Sequence, residues 1–135
     1  ALDIPFASPA QAPHDCDIVI NASASADALD LALDCAGYEG RLVEASWYGD
    51  RRVEMALGRR FHSRRLSIVS SQVGGIASQR RARWSLARRM RAALALLADD
   101  RLDALFSGET PFETLDRDYP SILSSPSTLC HRIVY

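Results

Sequence analysis

The sequence predicts an α/β fold, a parallel sheet with flanking helices, and three observations carry that expectation. Two short apolar runs, Asp17-Ile18-Val19-Ile20 and Arg41-Leu42-Val43-Glu44-Ala45, flank one amphipathic segment closed by Gly37 and Gly40. A third run, Leu66-Ser67-Ile68-Val69, follows after a more polar stretch. Parallel strands need a crossover of roughly a dozen residues, usually a helix, so this order reads as strand–helix–strand with a further strand beyond. Ligands of open parallel sheets bind past the carboxyl ends of the strands. The polar segments Asn21-Ala22-Ser23, Ser46-Trp47-Tyr48-Gly49 and Ser70-Ser71-Gln72 are therefore where function is expected. No G-x-G-x-x-G phosphate turn occurs in the 135 residues.

Each element has a local reason. Pro5, Pro9 and Pro13 deny regular structure to residues 1–16. The first strand is expected over 17–21. Ser25 is placed to cap the following helix, and Asp27 in its first turn is favoured by the dipole. Ala28, Leu29, Ala32 and Ala36 share one face, Asp30 and Asp34 another, and Gly37 is the stop signal. The second strand is expected over 41–46. Val53 to Leu57 adds a short strand, and Gly58 to Arg65 a turn or brief helix. The third strand covers 66–71 and breaks at Gly74-Gly75.

From Ser78 to Ala98 the pattern is helical. Leu86, Ala87, Met90, Ala93, Leu94 and Leu97 form a stripe expected to face a core, with Arg80, Arg81, Arg88, Arg89 and Arg91 outside it. Leu102 to Ser107 reads as strand or turn, Pro111 opens a short helix, and Arg132-Ile133-Val134-Tyr135 a final strand. The chain thus divides into an irregular segment (1–16), a partial sheet domain (17–101) and a closing segment (102–135).

Composition narrows the function. A hydrophobic share of 47% and a charged share of 24% are globular values. No apolar stretch approaches the roughly 20 residues that span a bilayer, and no basic-then-apolar leader is present. A cytoplasmic protein with no membrane partner is expected. All 16 basic residues are arginine. Residues 1–40 carry −7, residues 41–101 carry +9 and the remainder −3. A positive middle attracts phosphate or an acidic surface, yet the overall −1 argues against a dedicated nucleic-acid binder. The arginines around residues 80–91 read as the solvated back of a helix, and His62 with Arg64 and Arg65 as a solvent-facing turn.

Cys16, Cys35 and Cys130 form neither a C-x-x-C pair nor a disulfide framework. His14 near Cys16 and His131 beside Cys130 lack zinc-site spacing, so no metal is assigned. Ser70 and Ser71 have no base placed by spacing, and Glu109 and Glu113 no acid–base partner, so no catalytic residue is assigned.

A sheet of three strands leaves an uncovered edge, and the final strand has no obvious partner in the sequence. Both features fit a chain completed by other polypeptide. The segments Asp17-Ile-Val-Ile-Asn-Ala-Ser, Gly40-Arg-Leu-Val-Glu-Ala-Ser-Trp-Tyr-Gly-Asp and Phe61-His-Ser-Arg-Arg-Leu-Ser-Ile-Val-Ser-Ser-Gln-Val-Gly resemble the C-terminal part of medium-chain dehydrogenase/reductases, the zinc-alcohol-dehydrogenase-like oxidoreductases. Leu105 to Tyr135 resembles the segment that returns to that family's catalytic domain. The resemblance covers nearly the whole chain and about the last third or more of a typical member.

The resemblance implies a partial Rossmann-type sheet, the last three strands of a dinucleotide-binding domain. It implies hydride transfer between nicotinamide and a small carbonyl or alcohol, with NAD or NADP as cofactor. Asn21, Ala22 and Ser23 would lie near the nicotinamide ribose, with Ala45, Ser46 and Trp47 after the next strand and Ser70, Ser71 and Gln72 after the third. Groups there would orient the ring. It also implies a homodimer through the strand at about 66–71 and an N-terminal half carrying the phosphate turn and catalytic domain. Without that half, weak or absent cofactor binding and no turnover are expected. The alternative is a non-catalytic α/β interaction module that dimerises through an edge strand. An arginine-helix nucleic-acid binder is a third, poorer reading.

Overall fold

The computed structural model describes residues 4–135. The chain divides into two compact units, residues 6–76 and residues 77–135 with Ile4 and Pro5.

The first unit is the expected parallel sheet. Strand β1 (Cys16–Asn21) leads to helix α1 (Ala26–Cys35), then β2 (Ala36–Glu44) and, after a helical turn at Leu57–Phe61, β3 (Ser67–Ser70). The order is β1-β2-β3 and both pairings are parallel. Ser25 caps α1 as expected, its Oγ accepting the Ala28 N–H at 3.5 Å. Leu29, Ala32 and Leu33 are buried against the sheet, where Leu42 is wholly enclosed and Val19 and Ile68 pack beside it. Burying one such leucine contributes roughly 1.5–3 kcal/mol, so this one face holds the unit together. Val19, Leu42 and Ile68 are register partners, and so are Ile20, Val43 and Val69 on the alternate face. There Ile20 and Val69 are exposed.

Two local expectations change. Helix α1 ends at Cys35, and β2 begins at Ala36 rather than near residue 41. Its first residues form a large irregularity: Cys16 pairs with Ala36 but Ile18 already pairs with Arg41. The glycines serve that close approach. A Cβ on Gly37 would lie 2.9 Å from Asp15 Oδ1, and one on Gly40 2.9 Å from the Cys16 carbonyl oxygen. Residues 53–56 form no strand; the Ala56 N–H is instead held by Asp30 Oδ1 at 3.1 Å.

In the second unit, α2 (Leu86–Leu96) is followed by a 3₁₀ segment at Asp100–Leu105, β4 (Phe106–Pro111), α3 (Leu115–Ser124) and β5 (Cys130–Val134). Ser85 caps α2 by accepting the Arg88 N–H at 3.1 Å. The helix is shorter than its periodic pattern, and Leu86, Met90, Leu94 and Leu97 of the stripe are exposed rather than buried. The final strand does have a partner: β5 pairs in parallel with β4, making a second strand–helix–strand unit. Ser107 stitches that pair, its Oγ donating to the Cys130 carbonyl and accepting the Leu129 N–H. Among the described residues no helix is long and apolar enough to cross a membrane.

Candidate functional site

The parallel register aligns the carboxyl ends of the first sheet. Asn21, Glu44 and Ser70 are consecutive partners across β1, β2 and β3. The ladder continues one step further, with the Ala45 N–H donating to the Asn21 carbonyl and the Ser71 N–H to the Glu44 carbonyl, each at 2.8 Å. All three expected segments therefore leave the sheet at one edge.

Glu44 organises what lies there. Its Oε1 accepts the Ser46 N–H at 2.8 Å, and its Oε2 accepts Asn21 Nδ2 at 2.8 Å and the Tyr48 hydroxyl at 3.3 Å. Partial burial by itself would raise the Glu44 pKa. The Ser46 backbone N–H and the Asn21, Ser46 and Tyr48 side chains outweigh it and hold the carboxyl below its ordinary range. Tyr48 moves the other way: burial and the Glu44 charge push its phenol up, so it stays protonated.

Asn21, only 5% exposed, is saturated. Its Nδ2 reaches Glu44 and Tyr48, while its Oδ1 accepts the Ser23 N–H at 3.3 Å and the Ser23 hydroxyl at 2.8 Å. Ser46 Oγ accepts the Ala24 N–H at 2.9 Å, tying the turn after β2 to the turn after β1. Arg51 clips the same two turns from outside, donating to the Tyr48 carbonyl at 3.1 Å and the Ala24 carbonyl at 3.3 Å.

Of the expected site residues, Asn21, Ser23 and Ser46 thus meet in one hydrogen-bonded network, with Ala45 joined by its backbone. Ala22 and Ala45 are exposed, and Trp47 is 89% exposed. Ser70 and Ser71 are exposed at the neighbouring strand end, and Gln72 turns back so that its Oε1 accepts the Gly74 N–H. The sequence reading named Tyr48 only as part of the 46–49 segment, and missed Glu44 and Arg51 as site-building residues. One signal was available for Glu44, an acidic residue closing an apolar strand level with Asn21.

The other candidates resolve differently. Arg60, Arg64 and Arg65 pair with Asp34, Asp15 and Glu39 at 3.1, 3.5 and 2.9 Å, so the turn before β3 is tied to acidic residues of the first 40. Arg88 lies over the Trp84 ring, 4.5 Å from its centroid. His131 Nε2 is 2.8 Å from the buried Thr110 hydroxyl. Cys16, Cys35 and Cys130 are free thiols.

No protein-family model matches the sequence, and no curated protein matches it significantly. Solved structures do resemble it. The 2R,3R-butanediol dehydrogenase of Bacillus subtilis superposes with a TM-score of 0.66 at 12% identity, over 90% of this chain and 32% of that one. An alcohol dehydrogenase from Thermus sp. ATN1 gives 0.59 at 24% identity, over 87% and 31%. An alcohol dehydrogenase from Escherichia coli CFT073, complexed with NADH, gives 0.58 at 15% identity, over 84% and 30%. The chain spans about a third of the length of these neighbours, and what it shares with them is the fold of that stretch.

Proposed function

We propose that this chain supplies the nicotinamide-facing half of a dinucleotide-binding sheet in an NAD(P)-dependent oxidoreductase of the medium-chain dehydrogenase/reductase type. The observation that carries the reading is the alignment of Asn21, Glu44 and Ser70 at one sheet edge, with the Glu44 network fixing the turns beyond. The dehydrogenase neighbours, one of them holding NADH, support it. The residues fit a flat ring. Exposed Ala22 and Ala45 keep the surface low, and the saturated Asn21 and Ser46 hold it rigid. When bound, the nicotinamide supplies the hydride exchanged with a small carbonyl or alcohol. The chain's part is to orient the ring through backbone groups. Its 135 residues contain no glycine-rich phosphate turn, so the pyrophosphate end needs other polypeptide and the chain alone binds weakly.

The test is a titration of the ¹⁵N-labelled chain with NADH into the millimolar range. Amide shifts concentrated at residues 21–24, 45–48 and 70–72 are expected. Shifts elsewhere, or none at saturating concentration, would sink the reading. A second reading, a non-catalytic module dimerising through β3, is favoured by the position of β3 as an outer strand with Val69 exposed. A concentration-dependent dimer in sedimentation, with no nucleotide response, would select it.

A further inference from the structure

The other end of the first sheet brings two thiols together. Cys16 opens β1 and pairs in the ladder with Ala36, the residue next to Cys35 at the end of α1. The chain on either side is bound to the same place. His14 Nδ1 lies 3.3 Å from the Asp34 carbonyl oxygen, and Gly37 admits Asp15 where a Cβ would stand 2.9 Å from its Oδ1. Arg64 spans the two segments, its guanidinium 3.5 Å from Asp15 Oδ1 and 3.4 Å from the Ala36 carbonyl. Cys16 and Cys35 are thus one residue short of being register partners, and the charge of the Cys16 thiolate is felt at Cys35.

The two thiols differ in access. Cys16 is half-buried and Cys35 only 7% exposed. Cys130 is exposed and belongs to the second unit.

We propose that Cys16 and Cys35 are an oxidant-sensitive pair that closes into a disulfide, stapling the start of β1 to the end of α1. With a peroxide as oxidant, the Cys16 thiolate attacks one peroxide oxygen. An S–O bond forms, the O–O bond breaks, and hydroxide leaves and takes a proton. Cys16 is then a sulfenic acid, and the peroxide is reduced. The Cys35 thiolate attacks that sulfur, the S–S bond forms, and the S–O oxygen departs as water. Two thiols and one hydrogen peroxide give one disulfide and two waters. Burial and the neighbouring Cys16 push the Cys35 thiol up, so the second step accelerates with pH. The pair sits at the amino ends of the strands, opposite the Glu44 network, and the proposal does not depend on what binds there.

The reduced chain is treated with a slight excess of hydrogen peroxide, alkylated, and mapped by non-reducing peptide mass spectrometry. The expected product is a Cys16–Cys35 linked peptide, two hydrogens lighter than the dithiol, with Cys130 still alkylated. Cys16→Ser removes that species, and Cys130→Ser leaves it in full yield. Sulfinic acid at Cys16 with Cys35 still free would overturn the proposal. So would oxidation confined to Cys130 bridges between chains.

Discussion

Replacing Glu44 by Gln keeps size and shape but removes one of the two carboxylate oxygens that the strand-end network requires. The carboxylate accepts from Ser46 N–H, Asn21 Nδ2 and Tyr48 OH. A glutamine offers one oxygen and one NH₂ group. If its oxygen faces Ser46, its NH₂ meets the Asn21 amide donor; if it flips, the NH₂ meets the Ser46 N–H. One donor loses its acceptor either way, and Asn21 is too buried to recover water. Hydrogen bonds to a charged group are worth about 1.5–3 kcal/mol each, so Glu44→Gln is expected to cost about 2 kcal/mol at pH 7. In a unit of this size that lowers the melting temperature by roughly 10 °C.

The sign with pH follows from the depressed Glu44 pKa. Its contribution is complete above the ordinary value of 4.5 and is lost as pH falls through the lower folded value. Other carboxylates titrate in both proteins and cancel in the difference. Urea unfolding followed by circular dichroism at pH 7 and pH 3 measures it. The gap between wild type and variant should narrow at pH 3, below the ordinary value of 4.5. A gap below about 0.5 kcal/mol at pH 7, or one unchanged at pH 3, would refute the assignment of Glu44 as the network's centre.

Leu42→Ala should destabilise the first unit by about 2–5 kcal/mol, because its side chain is wholly enclosed between α1 and the sheet. Denaturant midpoints at constant slope measure this. Gly40→Ala should cost about 1–3 kcal/mol in the same assay, since the new methyl would stand 2.9 Å from the Cys16 carbonyl oxygen and that neighbour is backbone. A neutral result there would mean that the irregular pairing at the start of β2 relaxes freely.

The elements legible in the sequence are those whose burial pattern and caps agree. β1, α1 and β3 satisfy a strand run, a Ser25 cap and a core stripe together, and each is found within a residue or two of its expected span. The start of β2 was hidden because Gly37 and Gly40 are turn signals in sequence, whereas here they let two backbones approach. β4 was hidden because Phe106-Ser-Gly-Glu-Thr-Pro has neither alternation nor β-branched density, and Pro111 closes it. In α2 the period was right about the helix, but period alone does not say what covers a stripe. The site was half legible. The fold class pointed to the strand ends, and Asn21, Ser23 and Ser46 followed; Glu44 looked like the last polar residue of a strand until the register set it beside Asn21.

The charge distribution has a structural use. The acidic first third and the arginine-rich middle meet in the Arg60–Asp34, Arg64–Asp15 and Arg65–Glu39 pairs, all at the amino ends of the strands. At the carboxyl ends the Glu44 carboxylate is met by neutral donors instead. Those donors are already committed to Glu44, and the residues exposed around them are Ala22, Ser23, Ala45, Trp47 and Arg51. Arg51 stands at this end as well, but it donates to the Tyr48 and Ala24 carbonyls, so the two ends of the sheet use their arginines differently: ion pairs at one, main-chain clips at the other.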